Sequence, residues 1–166
     1  MKDVNLIDIE ASGLGIDSYP VEIAILVDNR LFSWLIVPEE SWQYWDKTAE
    51  SMHGISREIL ISQGKVARFV ADAINDAMTN SNGLLYSDAA EWDADWLKTL
   101  FDAVGAVADF HILPVGDLLA GAAFRQFQQK REEIANSGKY RPHRAEQDIR
   151  IIHAALIAVC QAAKQE

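Results

Sequence analysis

The first 37 residues hold three successive runs of strand-forming side chains and no helical period, so the chain must begin as a sheet. Val4–Ile9 is apolar apart from Asn5 and Asp8; Val21–Val27 and Leu31–Val37 follow, separated by Asp28-Asn29-Arg30, a credible tight turn. Runs joined this closely are expected to pair as an antiparallel meander. Gly13 and Gly15 open the loop that leads to Pro20, and Pro38 closes the third strand.

The period then changes. A stretch with Trp42, Trp45 and His53-Gly54 follows neither template and is expected to be irregular. Val66, Phe69, Val70, Ala73, Ile74 and Ala77 recur at three-and-four spacing, as on an amphipathic helix that Asn80-Ser81-Asn82-Gly83 ends. Leu84–Ser87 reads as a short strand, Asp93–Val104 as a helix and Phe110–Leu113 as another strand. A helical region follows Pro114 and breaks near Ser137-Gly138, and a last helix begins near His143 and runs through Val159. Right-handed crossovers would add the later strands in parallel. The expected fold is α/β: one three-layer domain over residues 1–166, with a mixed five-stranded sheet flanked by helices.

A composition of 49% hydrophobic and 24% charged residues fits a folded soluble chain. A net charge of −10 excludes broad, non-specific adhesion to nucleic acid, which needs a basic surface. Carboxylates that hold cations would themselves add negative charge, so a metal-dependent nuclease is not excluded. Residues 125–150 carry seven basic side chains against four acidic ones, a local excess that suits a phosphate contact or simply a solvated helix face. Cys160 is the single cysteine, which removes disulfides and cysteine-based zinc sites. Met1-Lys2 lead almost directly into a strand without signal-peptide layout, and no apolar run is long enough for a membrane span, so a cytoplasmic setting is expected.

Three acidic clusters stand out. In Asp8-Ile9-Glu10 the strand period of two points both carboxylates from one face. Neighbouring carboxylates on a mostly buried strand are costly unless a cation lies between them, and oxygen ligands suit Mg²⁺ or Mn²⁺. Taken alone, the pair is explained more simply by a strand end with both acids in solvent. Asp93 lies at a loop-to-helix junction, where Asp is common as a cap, and Asp88, Glu91 and Asp95 crowd the same segment. His143 and Asp148 are five apart, about 140° around a continuous helix. They converge only if His143 stays in the loop and Asp148 opens the helix, a boundary that Pro142 and Gly138 favour. A loop histidine with a pKa near neutrality can serve as a general base.

In this order the clusters resemble the three motifs of the DEDDh, or DnaQ-like, 3′→5′ exonucleases. The resemblance runs from residue 4 to about 156 and includes Ser12-Gly13-Leu14, His53-Gly54-Ile55 and Trp92-Asp93 with Trp96-Leu97, which selects Asp93 among its acidic neighbours. The branch of the superfamily with tyrosine would place it where Arg144 stands; His143 occupies the histidine position instead. The family's frequent His-Asn-Ala segment is replaced by Asp88-Ala89-Ala90, which puts the substrate contacts of that Asn in question.

The resemblance implies an RNase H-like fold and an enzyme that shortens nucleic acid from the 3′ end, releasing nucleoside 5′-monophosphates. It implies Asp8, Glu10, Asp93 and Asp148 as ligands of two Mg²⁺ or Mn²⁺ ions, with His143 taking the proton of the attacking water. Ser12, Gly13 and Leu14 would form the 3′-end pocket, His53 would lie near the terminal nucleotide, and Arg141 and Arg144 would meet phosphates. His53 as a buried structural residue remains equally open. The partner would be a single-stranded 3′ end, with RNA or short oligonucleotides favoured over DNA proofreading or repair. A homodimer, and an inactive binding module of the same fold, stay as alternatives.

Overall fold

A computed structural model describes residues 4–162 of the chain. Strands β1 (Leu6–Ala11), β2 (Pro20–Val27) and β3 (Arg30–Leu35) form the expected antiparallel meander. Asp28 and Asn29 take φ of 50° and 63°, the two left-handed residues that a two-residue hairpin turn matched to strand twist requires. Asn5, buried just before β1, explains its place beside apolar neighbours. Its Oδ1 accepts the Asp28 N–H at 3.1 Å and its Nδ2 donates to Asn82 Oδ1 at 3.2 Å. Two distant turns are thereby fastened to the start of β1.

Strands β4 (Leu84–Ser87) and β5 (His111–Pro114) add in parallel, giving the order β3-β2-β1-β4-β5. One face is covered by α3 (Ala67–Met78) and α4 (Ala90–Val104), which bury Val70, Ile74, Leu97 and Leu100 against Ile7, Ile9, Ile23 and Ile25. The other is covered by α6 (Ala145–Ala162), with α5 (Ala122–Ala135) packed beside it; Ile149, Ile152, Ala155 and Leu156 meet Leu6, Ala24 and Leu26. The three layers and the mixed five-stranded sheet agree with the sequence reading. No helix among the described residues is long and apolar enough to cross a membrane.

Two expectations are corrected. The stretch read as irregular contains two seven-residue helices, α1 (Lys47–His53) and α2 (Arg57–Gln63). Asp46 and Ser56 cap their N-termini, and Gly54, at φ 71°, ends the first. Elements of two turns show too little of the 3.6 period to stand out. The second correction is that α4 starts at Ala90, not Asp93. Its N-cap is Ala89, with no side-chain hydrogen bond, so the usual start signal is missing.

Candidate active site

The acidic residues meet where the C-terminal end of β1 faces the first turn of α6. One carboxylate oxygen from each of Asp8, Glu10 and Asp148 lies within 4.8 Å of the others, a spacing that can hold a metal ion. Asp8 and Glu10 project from the same strand face, opposite Ala24 and Glu22 on β2, and the register slips at a bulge between Glu10 and Ala11. Bulges are common beside functional sites because they end regular pairing and re-aim side chains.

Asp93 enters from the other layer. It lies in the first turn of α4, 1% exposed, and accepts a hydrogen bond from the Ser87 hydroxyl at the end of β4. Ser87 in turn accepts the Ala89 N–H at 2.8 Å. Asp93 is thus a buried acid rather than a cap, and its charge reaches Asp8 strongly enough to raise that residue's pKa.

The α6 entry resolves the five-residue spacing. His143 stays in the loop at φ 62°, and the helix begins two residues later. The Arg144 N–H donates to Asp148 Oδ2 at 3.1 Å, and the Arg144 carbonyl accepts the Asp148 N–H at 2.9 Å. The exposed His143 is close enough to lower the pKa of Asp148 electrostatically. Imidazole and carboxylate therefore share one corner.

Each of the four acids is harder to ionise than an ordinary carboxylate. Burial is the main cause for Asp8, reinforced by Asp93 and Asp148, and its pKa lies well above normal. Burial, then the charges of Asp148 and Glu22, raise Glu10 to about 8. Burial raises Asp93 to about 8, opposed by the Ser87 hydrogen bond. Asp148 is raised by burial, partly offset by backbone N–H groups. Gathered, desolvated acids of one sign repel one another, and an all-oxygen set of this kind could hold a hard divalent ion.

The remaining predicted contacts divide. Ser12 is buried; its N–H and Oγ bond to the Tyr19 carbonyl at 2.9 Å and the Tyr19 N–H at 3.2 Å, closing the β1–β2 loop. Gly13 is held under Tyr44, where an added Cβ would lie 2.6 Å from the ring. Leu14, by contrast, is 67% exposed at the loop tip. Near it, Trp92 stacks on Trp96 at 5.6 Å and leaves about half its surface free. His53 is buried, with Nδ1 accepting the Ile55 N–H at 3.0 Å and Nε2 lacking a hydrogen-bond partner among the described residues. Arg141 reaches back to the His53 carbonyl at 3.5 Å, passing Gly54 where any Cβ would block it.

Arg144 is placed differently from its expected phosphate contact. Its guanidinium grips Glu22 through Nε at 2.9 Å and Nη2 at 2.7 Å, so the fork is already used. Glu22 itself escaped the sequence reading. The signal was present: one acid inside the otherwise apolar Pro20–Val27 strand, where burial demands a partner. Asp88, in the segment that departs from the family pattern, pairs with Arg131 of α5 and adds to the negative field on Asp8 and Asp93.

No family model and no curated protein matches the sequence. Solved structures do match the fold, and those that share it include exonucleases. Exonuclease I of E. coli, in complex with a dA16 oligonucleotide, superposes with a TM-score of 0.73 at 14% identity, over 98% of this chain and 42% of that one. A full-length 3′-exonuclease gives 0.70 at 14% identity, over 98% of this chain and 83% of that one. A 3′-exonuclease described in specific recognition of a histone mRNA stem-loop gives 0.69 at 15%, over 95% and 62%. The chain thus spans about two fifths of Exonuclease I and most of the full-length 3′-exonuclease.

Proposed function

We propose that the chain is a metal-dependent 3′→5′ exonuclease that hydrolyses single-stranded nucleic acid to nucleoside 5′-monophosphates. The observation that carries this is the convergence of Asp8, Glu10 and Asp148 within 4.8 Å, from strand and helix elements far apart in sequence. Asp93 supports the same corner from α4, and the four acids would hold two divalent ions, Mg²⁺ or Mn²⁺. Such ions, when bound, stabilise the attacking and leaving oxygens of an in-line phosphodiester displacement.

The chain's own groups supply the rest. His143, exposed and unencumbered by helix geometry, takes the proton of the attacking water at its imidazole. Leu14 and Trp92, which line one cavity, offer apolar surface for terminal bases, contacts that tolerate any sequence. The buried His53 would meet the terminal nucleotide through Nε2, and the Gly13 backbone amide its sugar. Arg141 is the cation left for phosphate. The substrate is RNA or short oligonucleotides in a cytoplasmic setting; Exonuclease I with its oligonucleotide keeps a DNA role as the second reading.

Digestion of matched 5′-labelled RNA and DNA strands tests this. Stepwise shortening that chelation abolishes and Mg²⁺ or Mn²⁺ restores is the expected result. Intact strands with measurable binding would instead leave a non-catalytic binding module. His143→Ala should fold normally and lose about 10²- to 10⁴-fold in kcat. Unchanged turnover would remove it as the base.

A further inference from the structure

Glu22 is a buried acid that the proposed chemistry leaves without a part. It is 3% exposed on β2, directly across from Glu10, and strand alternation puts it on the face that carries Asp8 and Glu10. Despite that position it does not join the oxygens gathered for a metal, which come from Asp8, Glu10 and Asp148. Both of its oxygens turn to the start of α6. Arg144 meets them as a fork at 2.9 and 2.7 Å, and the Ala145 N–H donates at 3.0 Å. The contact joins residues 122 and 123 positions apart.

An ion pair this buried is weak evidence for stability, because desolvation offsets most of the attraction and an apolar pair would often serve as well. Its geometry is more informative. A bidentate arginine fixes direction as well as distance. The residue so fixed is the one whose N–H and carbonyl both bond to Asp148. On its other side stands His143, held at φ 62°, a left-handed conformation that a non-glycine residue keeps only when its surroundings impose it. Glu22 therefore anchors the peptide from which the proposed base and the proposed helix-borne ligand both project.

We propose that Glu22 is a positioning residue: through its fork with Arg144 it holds the entry of α6 so that His143 and Asp148 meet the Asp8–Glu10 edge, without itself holding an ion. This rests on the exonuclease reading above. Gln at position 22 keeps the size and one acceptor but loses the charge-assisted fork. Lys at 144 keeps the charge but cannot fork.

The test compares wild type with Glu22→Gln, Arg144→Lys and the double variant Glu22→Gln/Arg144→Met. Each is assayed by thermal melting, by Mn²⁺ titration in a calorimeter, and by kcat and KM on a 5′-labelled oligonucleotide. Both single variants should remain folded, bind the wild-type number of ions, and lose about 10- to 100-fold in Mn²⁺ affinity and kcat, with KM little changed. The double variant should be no worse than either single, since all three break one contact. A lowered Tm with wild-type kcat and affinity would reduce the pair to fold stability and overturn the proposal. Loss of one bound ion would make Glu22 a ligand and overturn it as well. If Glu22→Gln fails to fold, Arg144→Lys carries the same readouts. A wild type that binds Mn²⁺ but shortens no strand removes the exonuclease reading alone, because the affinity comparison still tests the brace; one that does neither ends both.

Discussion

The same two strands serve opposite ends on the two faces of the sheet. On one face Ile7, Ile9, Ile23 and Ile25 are at most 5% exposed, packed with α3 and α4 into the larger core. The residues between them, Leu6, Asp8 and Glu10 on β1 and Glu22, Ala24 and Leu26 on β2, form the face that α6 covers, and half are acids. Strand alternation makes this possible without any change in backbone: each apolar residue that stabilises the fold is followed by one free to carry chemistry. The charge is also confined lengthwise. Beyond its first turn α6 covers the sheet with Ile152, Ala155, Leu156 and Val159, all buried. One face holds the molecule together; one corner of the other is left at an electrostatic disadvantage that a cation would relieve.

The sharpest way to break this comparison is to neutralise the disadvantaged corner. Asp8→Asn should lose on the order of 10³-fold in kcat, about 4 kcal/mol of transition-state stabilisation. The metal-free variant should nevertheless melt above wild type at about pH 8, since a buried acid among three others has become neutral. Activity within tenfold of wild type, or a lower Tm, would mean that the acids are not the functional face.

The complementary change lies one residue away in pleat and opposite in kind. Ile25 is fully buried on the apolar face, between Ile7 and Phe32 in the ladder. Ile25→Ala should cost about 2–5 kcal/mol of stability by leaving a cavity. Below its lowered Tm it should keep wild-type kcat and Mn²⁺ affinity. If Mn²⁺ binding falls as far as it does in Glu22→Gln, the faces are mechanically coupled and the division drawn above fails.

This division also explains what the sequence could and could not disclose. The apolar face is written in local patterns, so the meander, the sheet strands and the helix over Ala67–Met78 were legible from period alone. Strand β4 was read with its observed bounds. The acids were legible as residues, because alternation fixes which side of a strand Asp8 and Glu10 share, and the loop-to-helix boundary at His143 follows from Pro142 and Gly138. The contacts that organise the corner were not. Glu22 and Arg144 are joined across most of the chain, and nothing local at either position announces the other. Arg144, next to His143 in sequence, therefore looked free for phosphate. The start of α4 was misplaced for a related reason: Asp93 resembled a cap locally, while the Ser87 hydroxyl holds it buried in the first turn. Tertiary partners decided these positions, and period and cap signals do not encode them.

The smallest effect is the most diagnostic of unpaired burial, and it concerns pH. Glu10 and Asp93 have pKa values near 8 in the folded chain, against ordinary values of 4.5 and 3.8. The folded state therefore retains protons that the unfolded chain gives up. The stability these groups lend is full below about pH 4 and is lost as pH rises through 8, the reverse of a salt-bridged carboxylate. Burial lowers the pKa of His53 and works the other way near neutrality, so the trend is cleanest above about pH 7. The metal-free protein should lose Tm between about pH 7 and pH 8.5 in a thermal melt. Divalent ions bind the ionised acids, so Mn²⁺ at about 100 times its Kd at pH 8 should raise Tm there by about 5–11 °C, and the same concentration should raise it by less at pH 6. Asp8→Asn should flatten the slope, whereas Ile25→Ala should lower Tm by the same amount at every pH. A metal-free Tm that climbs through this range would show that the acids already have partners, and the contrast between the faces would lose its electrostatic cause.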